Sequence, residues 1–132
     1  MDIKFIQFQA HGDDRGSLVS LEDDKNIPFT IKRVYYLYNT KSGVRRGFHA
    51  HKELKQLAVV LKGSCRFLLD DGSEKIEVLL DNPEQGLFID SFVWREMFDF
   101  SEDCVLLVLA DKFYDEADYI RDCDAFLAEI KA

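Results

Sequence analysis

Gly47-Phe48-His49-Ala50-His51-Lys52-Glu53-Leu54-Lys55-Gln56-Leu57-Ala58-Val59-Val60-Leu61-Lys62-Gly63 is the stretch on which the fold is decided. Residues i and i+2 of a strand point to one face, so His49 and His51 stand side by side. If that face lines the inside of a barrel, two imidazoles converge on one cavity. The apolar run Gln56–Leu61 is a second strand, and Gly63 ends it at a turn.

Working outward, the same signals recur along most of the chain. Ser17–Glu22, Ile31–Tyr38, Cys65–Leu69, Ile76–Leu80, Leu87–Ile89, Val93–Phe98 and Val105–Ala110 read as further strands. Lys62-Gly63, Asp70-Asp71-Gly72 and Asn82-Pro83 punctuate them. Asp71-Gly72 is a hairpin signal, because Asp tolerates and Gly favours positive φ. The period changes near the end. Tyr119, Ile120, Cys123, Phe126, Leu127 and Ile130 follow a helical spacing, which predicts an amphipathic helix over about 115–131. Many short strands and one terminal helix predict an all-β sandwich or barrel, one domain over residues 1–132. Exposed strand edges would be covered by dimerisation, with the N-terminal strand Ile3–Gln9 as the candidate for exchange.

The His-x-His-x4-Gln-x6-Gly spacing is similar to the first motif of the cupins, in which a glutamate stands where this chain has Gln56. The resemblance implies a jelly-roll barrel, the double-stranded β-helix. A single histidine is more often a satisfied core or surface residue than a functional one; this pair, at this spacing in an all-β chain, points to a site. A metal centre would need more ligands. Position 56 is an amide, the strand Leu87–Phe98 holds no histidine, and the remaining histidine, His11, is near the N-terminus. No metal and no cofactor is therefore expected, with Glu53 and Glu96 as the carboxylates that would alter that reading. Paired histidines without a metal suit proton transfer, since imidazole takes and gives a proton near neutrality. Abstraction alpha to a ketone also needs a donor for the enediolate oxygen, and Tyr35, Tyr36, Arg46 and Arg95 are candidates.

Alternation along Val93–Phe100 places Trp94, Glu96, Phe98 and Phe100 on one face and Arg95, Met97 and Asp99 on the other. Trp94 can stack on a sugar or base, or simply pack. A charge inside an apolar strand carries a cost that a ligand or a partner must offset, which makes Arg95 a ligand candidate. Only one of Tyr35 and Tyr36 can face a cavity. Arg15, before Gly16, is either a turn residue or a phosphate ligand.

Composition bounds the partners. A net charge of −8 argues against nucleic acid, which calls for clustered positive charge. Local arginines (Arg15, Arg33, Arg45, Arg46, Arg95) still suffice for a nucleotide diphosphate. No apolar run reaches the roughly 20 residues of a membrane span. The N-terminus lacks the features of a signal peptide, and a cytoplasmic location is expected. The cysteines, Cys65, Cys104 and Cys123, are odd in number without a C-x-x-C spacing, which argues for free thiols.

Over nearly its whole length the chain resembles the cupin sugar-nucleotide 3,4-ketoisomerases that act on dTDP-4-oxo-6-deoxyglucose. The carriers are Asp14-Arg15-Gly16-Ser17-Leu18, Ile27-Pro28-Phe29, Ile31-Lys32-Arg33-Val34-Tyr35-Tyr36, Arg46–Lys52, Gly86-Leu87, Val93–Met97, Tyr114-Asp115-Glu116 and Asp118-Tyr119-Ile120-Arg121. The resemblance implies a homodimer with exchanged N-terminal strands and a metal-free shift of the ketone from carbon 4 to carbon 3. The product would feed an aminotransferase in 3-amino-sugar synthesis for surface glycans such as lipopolysaccharide. It implies His49 and His51 as the catalytic histidines and Tyr35 and Arg46 near the sugar; Tyr35 is expected to be catalytic with the histidines, and Arg15, Arg46, Arg95, Trp94 and Lys52 to bind substrate. Members making the galacto product tend to pair Arg with His at the positions of Arg15 and Arg95, and gluco members Tyr with Arg. This chain has arginine at both, so either product stays open. A related 3,5-epimerase and a non-catalytic sugar-binding cupin are the alternative readings.

Overall fold

The computed structural model describes residues 1–131; residue 132, the last of the expected domain, lies outside the described residues. Two five-stranded antiparallel sheets face each other. The first contains β1 (Lys4–Gln7), β9 (Gln85–Ile89), β6 (Gln56–Lys62), β11 (Val105–Ala110) and β4 (Arg33–Leu37), in that order. The second contains β12 (Tyr119–Ile120), β5 (Arg46–His51), β10 (Trp94–Phe98), β7 (Cys65–Asp70) and β8 (Lys75–Leu80). β2 (Ala10–Asp13) and β3 (Gly16–Val19) form a separate ribbon, so the expected run Ser17–Glu22 is a strand only in its first half.

Alternation decides what fills the space between the sheets. Ala58 and Val60 of β6 point inward onto Phe67, Leu69, Leu87, Leu106 and Val108. Leu57 and Val59 point outward and are covered by Phe8, Ile27 and Phe29. β6 is therefore buried on both faces, which explains its unbroken apolar run. The β7–β8 turn bears out the hairpin reading. Asp71 N–H donates to the Glu74 carbonyl at 3.2 Å, and Gly72 takes φ +96°. Gly63 takes φ +74°, where a Cβ would lie 2.2 Å from the Ser101 hydroxyl oxygen. The motif glycine thus serves both the turn and a close approach.

The C-terminal region differs from expectation. The helix α1 covers Cys123–Lys131 only. Ahead of it, Glu116–Asp118 form a single 3-10 turn capped by the Asp115 carboxylate, and Tyr119–Ile120 pair with β5 opposite His51 and Ala50. The helical spacing of Tyr119 and Ile120 is coincidental. On a strand the two diverge, Tyr119 toward the histidines and Ile120 into a cluster with Ala50, Trp94 and Phe126. Asp122, whose carboxylate accepts from the Ala125 N–H at 3.0 Å, starts the helix afresh. Among the described residues no helix is long and apolar enough to cross a membrane.

Candidate active site

β5 carries both histidines, and a bulge against β10 aims them. The register slips between Arg95 and Glu96, which face His49 and Gly47. Gly47 takes φ +92° and Phe48 φ +58°. A Cβ at Gly47 would stand 2.9 Å from the Arg95 carbonyl oxygen, so only glycine lets the strands approach this closely. Beyond the bulge, His49 and His51 share a face, their ring centroids 4.9 Å apart and edge to face. Tyr119 packs on both, 5.0 Å from His49 and 4.3 Å from His51.

A cavity of about 400 Å³ opens over this cluster, lined by Tyr35, Arg46, His49 and Tyr119 with Arg33 and Met97 among their neighbours. His51 lies one layer deeper and is fully buried. Its Nδ1 donates to Asp118 Oδ2 at 3.1 Å. A carboxylate only accepts, so this contact places the proton on Nδ1 and leaves Nε2 as the acceptor. Asp118 is itself fixed by the backbone N–H groups of Glu53 (2.8 Å) and Leu54 (3.3 Å). Neither His51 Nε2 nor His49 Nδ1 has a hydrogen-bond partner among the described residues.

The electrostatics hold both rings neutral. Burial, then the charge of Arg95, lowers His49 to about 4. The same two causes, joined by His49, push His51 down, while the Asp118 contact works in the other direction through Nδ1. Burial lowers Arg95 to about 10, leaving it charged near neutrality. Tyr35 is raised by burial and stays a phenol.

The structure brings Tyr35, Arg46 and His49 together on the cavity wall, with His51 beneath. Arg95 is 2% exposed and sits behind that wall, donating to Gln56 Oε1 and, at 3.0 Å, to the Val93 carbonyl. Trp94 points to the opposite side of β10. It packs on Phe126 with 5.9 Å between centroids, and its N–H donates to Glu96 at 2.9 Å. Lys52 is exposed, 3.9 Å from Glu129 of α1. Arg15 is at the exposed β2–β3 turn, bound to Asp13 at 2.6 Å and outside the cavity of its own chain. Among the described residues no three His, Cys, Asp or Glu side chains cluster as metal ligands; Glu96 faces Arg45 and Trp94, and Glu53 is 3.9 Å from Lys112.

Sequence reasoning missed Asp118, Tyr119 and Arg121 as site residues. They sit inside a helical apolar period that hides the short strand β12. Arg33, considered only among the diphosphate candidates, lines the cavity with its Nε and Nη2 unpartnered and stacks near Tyr35 and Tyr114.

Two facing antiparallel sheets with a histidine pair under an open cavity define a cupin. Residues 1–131 match the model of the FdtA family, described as WxcM-like, C-terminal. The chain is 56% identical over 126 residues to a TDP-4-oxo-6-deoxy-alpha-D-glucose-3,4-oxoisomerase of Aneurinibacillus thermoaerophilus, covering 96% of this chain and 91% of that one. It superposes on a 3,4-ketoisomerase of Helicobacter canadensis with TM-score 0.97 at 50% identity, over 100% of this chain and 99% of the other. It also superposes on QdtA, a sugar 3,4-ketoisomerase of Thermoanaerobacterium thermosaccharolyticum solved with TDP, with TM-score 0.96 at 45% identity, over 98% and 94% of the two chains. The chain belongs to the FdtA family.

Proposed function

We propose that the chain is a TDP-sugar 3,4-ketoisomerase that converts TDP-4-oxo-6-deoxyglucose to the 3-oxo isomer by histidine-mediated proton transfer. Its relatives support the activity and the substrate class. The observation that carries the mechanism is the neutral imidazole pair under the cavity, one member backed by the Asp118 carboxylate. A neutral Nε2 can take the proton from carbon 3, and its electrons form the enediolate across carbons 3 and 4. Delivery of a solvent-exchanged proton from imidazole to carbon 4, with the hydroxyl proton of oxygen 3 passing to oxygen 4, leaves the ketone at carbon 3. Atoms balance without an external redox partner. Asp118 favours the transient imidazolium, as an opposite charge beside it does. Arg33 and Arg46, free of carboxylate partners among the described residues, suit the diphosphate.

The reading extends to a cytoplasmic homodimer with exchanged N-terminal strands. In the single chain, β1 pairs instead with β9, Lys4 opposite Phe88. The 3-oxo product has the carbonyl that an aminotransferase would use to make a 3-amino sugar. Carbon 4 of that product ends galacto or gluco according to the face reprotonated.

The test is incubation with TDP-4-oxo-6-deoxyglucose in deuterium oxide, followed by NMR. The expected outcome is a 3-oxo sugar with solvent deuterium at carbon 4, its configuration read from the couplings, and carbon 5 untouched. Inversion at carbons 3 and 5 with the ketone unmoved would make the chain an epimerase. Binding without exchange would make it a sugar-binding protein.

A further inference from the structure

Gln56 stands where the cupin spacing has glutamate, and it is 2% exposed. It lies between Arg95 and Tyr35. Arg95 Nη1 donates to its Oε1, and its Nε2 donates to the Tyr35 hydroxyl oxygen at 2.9 Å. The amide cannot be turned round. A guanidinium has donors only, so the amide oxygen must face Arg95 and the amide nitrogen must face the phenol. The Tyr35 oxygen therefore accepts, and its own proton is left to donate elsewhere. Tyr35 lines the cavity beside His49, and among the described residues its hydroxyl has no other partner. The remaining O–H is free to point into the cavity that Tyr35 lines. A glutamate at the same place would offer acceptors to both neighbours. The phenol would then turn back to donate to it, and the cavity would lose its neutral donor.

We propose that Gln56 is a positioning residue: its amide, pinned by Arg95, directs the Tyr35 O–H at the sugar oxygen that gains negative charge as the carbon 3 proton leaves. This deepens the ketoisomerase reading and rests on it. It also gives the amide at position 56 a use of its own, because at the length of glutamate an amide accepts on one side and donates on the other. A donor already aimed at the developing oxyanion needs no reorganisation during the reaction.

The experiment compares Gln56→Glu, Tyr35→Phe and the double variant. Glutamate is isosteric and gains an ion pair with Arg95, so the fold is kept, which thermal melting checks. Each single variant is expected to lower kcat by roughly 100-fold, the scale of one lost oxyanion donor, with KM little changed. The double variant is expected to be no worse than either single, because both remove the same donor. Wild-type kcat in Gln56→Glu, or losses that multiply in the double variant, would overturn the proposal. Gln56→Met, uncharged and of equal length, is the second route to the same loss. A substrate-free readout is the tyrosinate absorbance of each Gln56 form, less that of its Tyr35→Phe counterpart. The carboxylate is expected to move the Tyr35 titration to higher pH, and no upward movement would sink the relay. A wild-type protein that leaves the sugar unchanged defeats the ketoisomerase reading while this titration still decides the relay.

Discussion

The carboxylate of Asp118 sets the protonation of His51 and receives two backbone N–H groups at once. In Asp118→Asn the amide oxygen can still accept from the Glu53 N–H, but the amide nitrogen then faces both Nδ1 and the Leu54 N–H. The ring must switch tautomer and present N–H where it had an acceptor. The expected result is a fall in kcat of about 100-fold, the size of a lost general base, with a modest drop in melting temperature from the unpaired Leu54 N–H. Unaltered kcat would remove the carboxylate from the mechanism. The histidines also make stability depend on pH. His49 titrates at about 4 in the folded chain and near 6.5 when unfolded. Its folded value is depressed, so stability is complete above about pH 6.5 and declines as pH falls through about 4, by at most about 1.4 kcal/mol per unit. Urea titrations of wild type and His49→Gln across that window should diverge, the variant keeping the flatter profile. At this scale His49 and His51 were legible because strand alternation is local. Asp118 was not, since it reaches His51 across 67 positions of sequence.

Elements show where local pattern prevailed and where it misled. The Asp71-Gly72 hairpin and the apolar run of β6 follow from residue type alone. The bulge of β5 does not, although it is what aims the histidine pair. Gly47→Ala places a methyl 2.9 Å from the Arg95 carbonyl oxygen at φ +92°. The change is expected to cost about 1–3 kcal/mol of strain in equilibrium unfolding, with lower activity as β5 shifts against β10. A variant as stable and as active as wild type would show that the bulge tolerates a side chain. The segment 115–122 departs from the helix its spacing predicts: Tyr119 and Ile120 fit a helical period, but pairing with His51 and Ala50 decides their conformation. Tertiary hydrogen bonds outweigh a weak local preference.

For the whole molecule, the edge strand β4 leaves Val34 and Tyr36 exposed with Tyr38 just beyond its end, and the β2–β3 ribbon projects with Leu18 uncovered. Such edges are commonly protected by association, and the expected particle in light scattering is a dimer. A monomer at all concentrations would contradict the proposed exchange of N-terminal strands. By itself the sequence determined the all-β class, the terminal helix and the side-by-side histidines, because periods of two and of 3.6 residues are written in neighbouring positions. Only the tertiary structure decided the surroundings of that pair. It turned Trp94 away onto Phe126, withdrew Arg95 behind the wall to Gln56, and brought Asp118 up under His51. Those contacts join residues far apart in the chain, and no local pattern encodes which distant donor meets which acceptor once the sheets close.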